Sequence, residues 1–362
     1  MDTKQEQNQI ESDTETGVQT RNPESKNQHL DACLTDAVEY KKNTGLENYE
    51  FVNNALPEVS LDDIDLSTTL LGKTLTSPLM IAPMTGGVAR AQDINRILAR
   101  VAEKKKIPMG VGSQRVGIED ADRAQFFKLR EEAPDTLIFA NIGAVQLVKG
   151  WGVDEARRAV EMIEADALFL HLNPIQEAIQ GGDQDFRGLT DKIEHVCATL
   201  RKDGIPVFAR EVGFGMSPDA AKRLIDAGVS GIDCSGAGGT SWAKVEALCA
   251  KTERRQIMGN IFGEWGIPTA QSILNVRSVS KSTPLIATGG LRNGVDVAKA
   301  IALGADIGAM ARPMLVKASE GDEALEQFIE QVNTEIRICM FGIGAENIES
   351  LRSTDGLAKI AV

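Results

Sequence analysis

Short apolar runs recur along the middle of the chain at regular intervals. They occupy residues 79–82, 107–111, 137–140, 167–170, 206–209, 231–234, 285–287 and 306–310. Each is short enough to be a strand. None alternates apolar with polar residues, so each predicts a strand buried on both faces. Amphipathic helical patterns fall between them at 91–104, 122–132, 154–164, 189–201, 218–227, 242–251, 269–280 and 295–303, and a last one follows at 322–335. Strands that alternate with helices imply a parallel sheet. Eight such units over some 250 residues predict one (β/α)8 (TIM) barrel. A doubly wound open sheet is the other architecture with this alternation. It carries a Gly fingerprint after its first strand, and here that turn reads Met84-Thr85-Gly86-Gly87.

Before the alternation, residues 45–77 predict an irregular entry with a short strand pair, and the first helical pattern spans 24–34. Residues 1–24 are rich in Gln, Asn, Thr, Ser, Asp and Glu and have little to bury, so they predict a disordered acidic tail. Residues 25–362 then form a single barrel domain with an N-terminal segment. Lys26 and His29, so near an N-terminus, are expected on a solvated face.

Composition narrows the function. Net charge is −13, which argues against a nucleic-acid or anionic-membrane surface. Aromatics are scarce at 4% while there are 34 glycines, a balance that favours close backbone approaches over base-stacking platforms. The five cysteines (Cys33, Cys197, Cys234, Cys249 and Cys339) are scattered and never in a C-x-x-C pair, as expected of reduced thiols in a cytoplasmic protein. No window approaches the roughly 20 apolar residues of a membrane span.

The chemistry lies where the strands end. In a barrel of this kind the C-terminal strand ends form the active face. Here they carry Pro83, Met84 and Thr85; Ser113, Gln114 and Arg115; Asn141; the run His171-Leu172-Asn173-Pro174-Ile175-Gln176-Glu177; Arg210 and Glu211; Ser235 to Thr240; Gly289, Gly290 and Arg292; and Ala311 and Arg312. Turn chemistry alone does not place hydroxyls, amides and cations at eight successive ends. Gly289-Gly290, followed by a helix from about Gly294, predicts a phosphate cradle of backbone N–H groups aided by the helix dipole. A phosphate on one side of the mouth and polar groups across it suit a flavin mononucleotide, although composition alone does not separate FMN from other phosphorylated ligands.

Taken together and in order, Met84-Thr85-Gly86-Gly87, Gly112-Ser113-Gln114-Arg115, Asn141-Ile142-Gly143, the His171 to Glu177 run, Glu211-Val212-Gly213-Phe214-Gly215, Gly238-Gly239-Thr240-Ser241-Trp242 and Gly289-Gly290-Leu291-Arg292 resemble the flavin-dependent type 2 isopentenyl-diphosphate isomerases. The resemblance runs from about residue 26 to about 351. It implies interconversion of isopentenyl and dimethylallyl diphosphate on reduced FMN with Mg2+, with NADPH as the reductant and a tetramer or octamer as the assembly. It also implies residue roles. Gln176 would lie beside the reacting hydrocarbon and Glu177 would hold the metal. His171 and Asn173 would grip the diphosphate with Ser25, Lys26, Ser113, Gln114 and Arg115. Pro83, Met84, Thr85, Ser113, Asn141, Arg210, Ser235, Thr240, Gly289, Gly290, Arg292, Ala311 and Arg312 would contact the flavin, with Arg312 able to add a phosphate contact. Two positions depart from the family pattern: Ser25 stands for Arg, and Arg210 for Lys. The competing readings are an FMN-dependent 2-hydroxy-acid oxidoreductase with His171 as base, and a non-catalytic flavin- or prenyl-diphosphate-binding relative.

Overall fold

The computed structural model describes residues 23–360. Eight parallel strands close into a barrel in the order β7-β8-β1-β2-β3-β4-β5-β6, with β1 at Leu79–Ile81, β2 at Met109–Gly110, β3 at Ile138–Gly143, β4 at Ala167–Leu172, β5 at Val207–Glu211, β6 at Gly231–Asp233, β7 at Leu285–Thr288 and β8 at Ile307–Met310. Every residue of these strands except Leu172 is buried, which is why their sequences are apolar runs and not alternations. Inside the barrel Phe139 stacks on Phe169 at 4.7 Å, and Phe208 meets Phe139 edge-on at 5.4 Å. Below them a hairpin, Thr68–Leu70 with Lys73–Leu75, places Leu70 and Leu75 in the same apolar cluster. Its two-residue turn, Leu71-Gly72, has φ of 50° and 77°, the twist that suits a tight hairpin. A larger apolar layer lies between the barrel wall and the surrounding helices.

The helices differ from the sequence pattern in a few places. The stretch expected as helix over 122–132 is a 3-10 segment, Ala121–Phe127. Helices Glu253–Ile261 and Arg312–Glu320 were not expected, and the last long helix continues from Asp322 to Ile343. Two three-residue strands, Tyr49–Phe51 and Leu357–Lys359, pair antiparallel and join the two ends of the described chain. The expected tail 1–24 lies outside the described residues except for its last two, which open helix Pro23–Cys33.

That helix and the segment after it, as far as residue 45, lie across the C-terminal mouth of the barrel. Tyr40 N–H donates to Gly239 O (2.9 Å), Ser241 N–H to Val38 O (2.8 Å) and the Tyr40 hydroxyl to Trp265 O (2.8 Å). The chain's N-terminal end is thereby folded over the strand ends that carry the candidate chemistry.

Candidate active site

A cavity of about 480 Å³ opens at this mouth, within the range usual for small-molecule and cofactor sites. It is lined by Pro83, Met84 and Thr85 after β1, Arg210 on β5, Ser235 and Thr240 after β6, Gly289, Gly290 and Arg292 after β7, and Ala311 and Arg312 after β8. Lys26 and His29 close it from the first helix. The ends of β1, β5, β6, β7 and β8 thus meet in one space, and those of β2, β3 and β4, the His171 to Glu177 run included, do not line it. Ser113 and Asn141 stand beyond its wall. The Asn141 amide donates to Val111 O (3.0 Å), and its oxygen meets His171 Nδ1 at 2.9 Å.

The phosphate end is a glycine cradle. Gly289 has φ 107°, and a Cβ there would fall 2.0 Å from Gly236 O, so only glycine fits. The helix dipole expected beside it is already in use. In helix Gly294–Ala302 the Gly294 N–H donates to Glu335 (2.6 Å) and the Asp296 N–H to the Asn293 side chain (2.8 Å), while Arg292 N–H takes the Asp296 carboxylate (2.9 Å). The helix with an uncapped start is the next one, Arg312–Glu320, whose N-cap Ala311 lines the cavity. Of the two helix starts beside these glycines, the one after β8 is therefore the one with no side-chain cap. The Arg312 side chain, which lines the cavity, donates to Cys33 O, Leu34 O, Asp36 and Glu39 on the segment overhead.

At the other end Arg210 forms an ion pair with Asp233, and its guanidinium carbon lies 5.7 Å above the Phe169 ring. Asp233 has no exposed surface. Burial raises its carboxyl above the ordinary range, and Arg210 pulls it back. Beneath the next turn, one oxygen of Glu211 accepts N–H donors from Val212 (2.6 Å), Gly213 (2.7 Å), Phe214 (2.5 Å) and Gly215 (3.1 Å). Burial pushes this carboxyl up to about 8 against the pull of those four donors. A glycine cradle, an uncapped helix start and a cation at the opposite end fit FMN. Gly289, Gly290 and Ala311 could hold its phosphate, and Thr85 and Arg210 could meet its ring.

The polar run expected on the substrate side is built on β4 and helix Pro174–Gln180. Asn173 is the N-cap and Pro174 supplies the first turn, where its missing N–H costs nothing. His171, Asn173, Gln176 and Glu177 are all buried. The Asn173 amide donates to Gln176 Oε1 (3.0 Å) and Glu177 Oε1 (2.9 Å). Gln176 Nε2 donates to Glu246 Oε1 at 2.7 Å, so both ends of its carboxamide are held. The Asn173 side-chain oxygen, Oδ1, is buried with no hydrogen-bond partner among the described residues, an acceptor that a ligand could use.

Glu246 was missed from sequence. It is 6% exposed on helix Trp242–Leu248, and His29 Nε2 approaches it at 3.6 Å while lying edge-on to Trp242. His29 is therefore packed and not on the solvated face expected for it. The only signal for Glu246 was a carboxylate set between the buried Val245 and Ala247.

The expected diphosphate grip divides. Lys26 lines the cavity; Ser25 lies on the same helix outside it. Gln114 is fully buried and braces strand ends, accepting from Asn141 N–H (2.8 Å) and donating to Ala159 O (2.8 Å). Arg115 pairs with Glu119 (2.8 Å) and Asp183 (3.1 Å). No group of three or more His, Cys, Asp or Glu among the described residues could hold a metal by itself. Glu177 offers one carboxylate, so a divalent cation there would be shared with a ligand's phosphates, as Mg2+ commonly is.

Glycines and an uncapped helix start on a (β/α)8 barrel with a cation at its mouth fit the class of flavin-mononucleotide enzymes, and the family model for FMN-dependent dehydrogenase matches residues 18–135 and 191–357. Solved structures with this fold include lactate oxidase of Pediococcus acidilactici (TM-score 0.63, 19% identity, 91% of this chain and 87% of that one) and mandelate oxidase with (S)-mandelic acid (TM-score 0.62, 18% identity, 92% and 95%). At that identity they speak to the fold alone. Three proteins named isopentenyl-diphosphate delta-isomerase are much more similar. That of Nostoc sp. is 49% identical over 337 residues (92% of this chain, 95% of that one), that of Stutzerimonas stutzeri 50% over 331 (90% and 94%) and that of Oceanobacillus iheyensis 43% over 342 (94% and 96%). The chain belongs to the isopentenyl-diphosphate delta-isomerase family.

Proposed function

We propose that the chain interconverts isopentenyl and dimethylallyl diphosphate, using FMN in its reduced form and Mg2+, with NADPH as reductant. The carrying observation is the buried cluster of Asn173, Gln176, Glu177 and Glu246. An allylic proton shift through a cation-like state needs a dry pocket with no strong nucleophile at the reacting carbons. A neutral carboxamide fixed at both ends meets that need. Bound reduced flavin would supply the ring N–H that protonates the alkene. Glu246 holds the Gln176 amide in one orientation. Glu177 would hold Mg2+, which would offset the charge of the diphosphate, and Lys26, His171, Asn173, Arg115 and Ser113 would bind the diphosphate oxygens. Gln114 would act behind them through Asn141, and Ser25 through the helix it shares with Lys26. Ser113 and Asn141 would reach the flavin ring edge, with Pro83, Met84, Thr85, Arg210, Ser235 and Thr240 around it.

The similarity of the chain to named isomerases over nine-tenths of its length supports this reading over the hydroxy-acid oxidoreductase. In the latter reading His171 would be the base, and the Gln176–Glu246 pair would have no task. We further propose a cytoplasmic homo-oligomer, a tetramer or octamer. Among the described residues no helix is long and apolar enough to cross a membrane. The test is an anaerobic assay of purified protein with isopentenyl diphosphate, FMN, NADPH and Mg2+. Net conversion that stops when FMN or Mg2+ is withheld is expected. No conversion, with oxidation of a 2-hydroxy acid in air, would overturn it.

A further inference from the structure

We propose that Arg312 is a positioning residue for substrate capture, pinning the N-terminal segment over the cavity, and not a ligand of the cofactor phosphate. The inference rests on the isomerase reading for its kinetic test.

Helix Pro23–Cys33 carries the cavity-facing Lys26 and His29. Eleven residues make a marginal helix in isolation. Its first turn has the acidic Glu24, which suits the dipole, but its last turn has no basic residue of its own. The cation arrives from elsewhere in the fold. Arg312, just past β8, donates from Nε to Cys33 O (3.0 Å) and from Nη2 to Leu34 O (3.4 Å), the carbonyls at the helix end. Its guanidinium then pairs with Asp36 and Glu39 on the following turn. Arg292, past β7, joins at Glu39 (3.2 Å). A guanidinium has five N–H donors in a fixed fork. With four partners on one segment, that fork faces the segment and leaves the phosphate to the cradle and the uncapped helix start. The fold supplies in trans the C-terminal cation that the helix lacks. The same contact sets where Lys26 stands and how closely His29 meets Glu246.

The test compares wild type with Arg312→Gln, Arg312→Lys and the pair Asp36→Asn/Glu39→Gln, which removes the pin's two carboxylates, and the Arg292 partner with them, and leaves the bonds to Cys33 O and Leu34 O. FMN and riboflavin affinities are read by flavin fluorescence, KM and kcat by the anaerobic assay, and the hold on the helix by the rate of tryptic cleavage after Lys26. In Arg312→Gln, KM for isopentenyl diphosphate is expected to rise about tenfold with kcat within about twofold, since lost helix-end contacts weaken binding and not chemistry. Cleavage after Lys26 should quicken, and the FMN-to-riboflavin affinity ratio should stay within about twofold. The paired variant should reproduce part of the KM rise, and adding Arg312→Gln to it should bring KM to about that of Arg312→Gln alone, less than the two rises combined. Arg312→Lys should recover only part, because one ammonium cannot span the same partners. A tenfold fall in FMN affinity with riboflavin unchanged would make Arg312 a phosphate ligand and overturn the proposal, as would unchanged KM and cleavage. If wild type does not isomerise, the functional reading fails, and the pin is still decided by the flavin ratio and the cleavage rate.

Discussion

Replacing Asp233 with Asn leaves the shape of the barrel interior nearly unchanged and removes the counter-charge of Arg210. Both side chains are buried, Asp233 completely and Arg210 to 6% exposure. Arg cannot discharge by losing a proton, so the variant strands a cation between Phe169 and the cavity floor. Breaking one side of a buried pair costs about 3–5 kcal/mol. Unfolding entropy for 362 residues is roughly 0.76 kcal/mol/K, so the melting temperature should fall by about 4–7 °C. The reverse change, Arg210→Met, leaves a carboxyl that can escape by binding a proton. Burial already raises the Asp233 pKa and Arg210 is what lowers it, so without Arg210 the neutral acid is favoured further. Arg210→Met should therefore cost less than Asp233→Asn. Its cost should also shrink as pH is lowered, because the stranded acid is then neutral without penalty. Melting curves of the two single variants and the double variant Arg210→Met/Asp233→Leu, taken at several pH values without flavin, decide the matter. The double variant should recover most of the loss. If Arg210→Met is the costlier single change at every pH, or if both lie within about 1 kcal/mol of wild type, the pair does not carry the buried-charge energetics assigned to it.

Gln176→Ala should nearly abolish isomerisation while FMN binding, read by flavin absorbance, is retained; loss of FMN would contradict a place on the substrate side. Glu177→Gln should raise the Mg2+ concentration needed for half-maximal rate, and an unchanged Mg2+ titration would count against metal binding there. Glu211 makes a prediction about pH. Its folded pKa of about 8 lies above the ordinary 4.5, so the native state holds a proton that the unfolded chain releases, and this contribution to stability is present below pH 4.5 and lost as pH rises to 8. Glu211→Gln should flatten that decline, by at most about 1.4 kcal/mol per pH unit, and parallel denaturation profiles for the two proteins would refute it.

The barrel was legible because β1 to β8 are buried on both faces, and that burial writes itself as short apolar runs. What stayed hidden depends on contacts distant in sequence. Tyr49–Phe51 and Leu357–Lys359 are three residues each, and their pairing across some 300 positions leaves no local trace. Helix Glu253–Ile261 leaves Ile257, Met258 and Ile261 exposed, so its apolar positions mark no buried stripe. Helix Arg312–Glu320 carries Pro313 in its first turn, where Pro is well suited, but it follows β8 so directly that its start reads as part of the strand end.

The same division holds within the site. Gln176 and Glu177 stood out because polar groups crowd the end of a buried strand, and the glycines after β7 because a cradle needs them. Glu246 did not, because a carboxylate on a short helix is ordinarily a solvated one; it meets the Gln176 carboxamide only because helix Trp242–Leu248 packs on helix Pro174–Gln180. Arg312 shows the converse. Its position beside the phosphate cradle was legible, yet the direction of its side chain was set by Cys33, Leu34, Asp36 and Glu39, nearly 280 residues away in the chain. Strand ends place a residue at the mouth. Which of the groups gathered there it faces is decided by the segment that folds across them, and that segment writes nothing into the strand's own sequence.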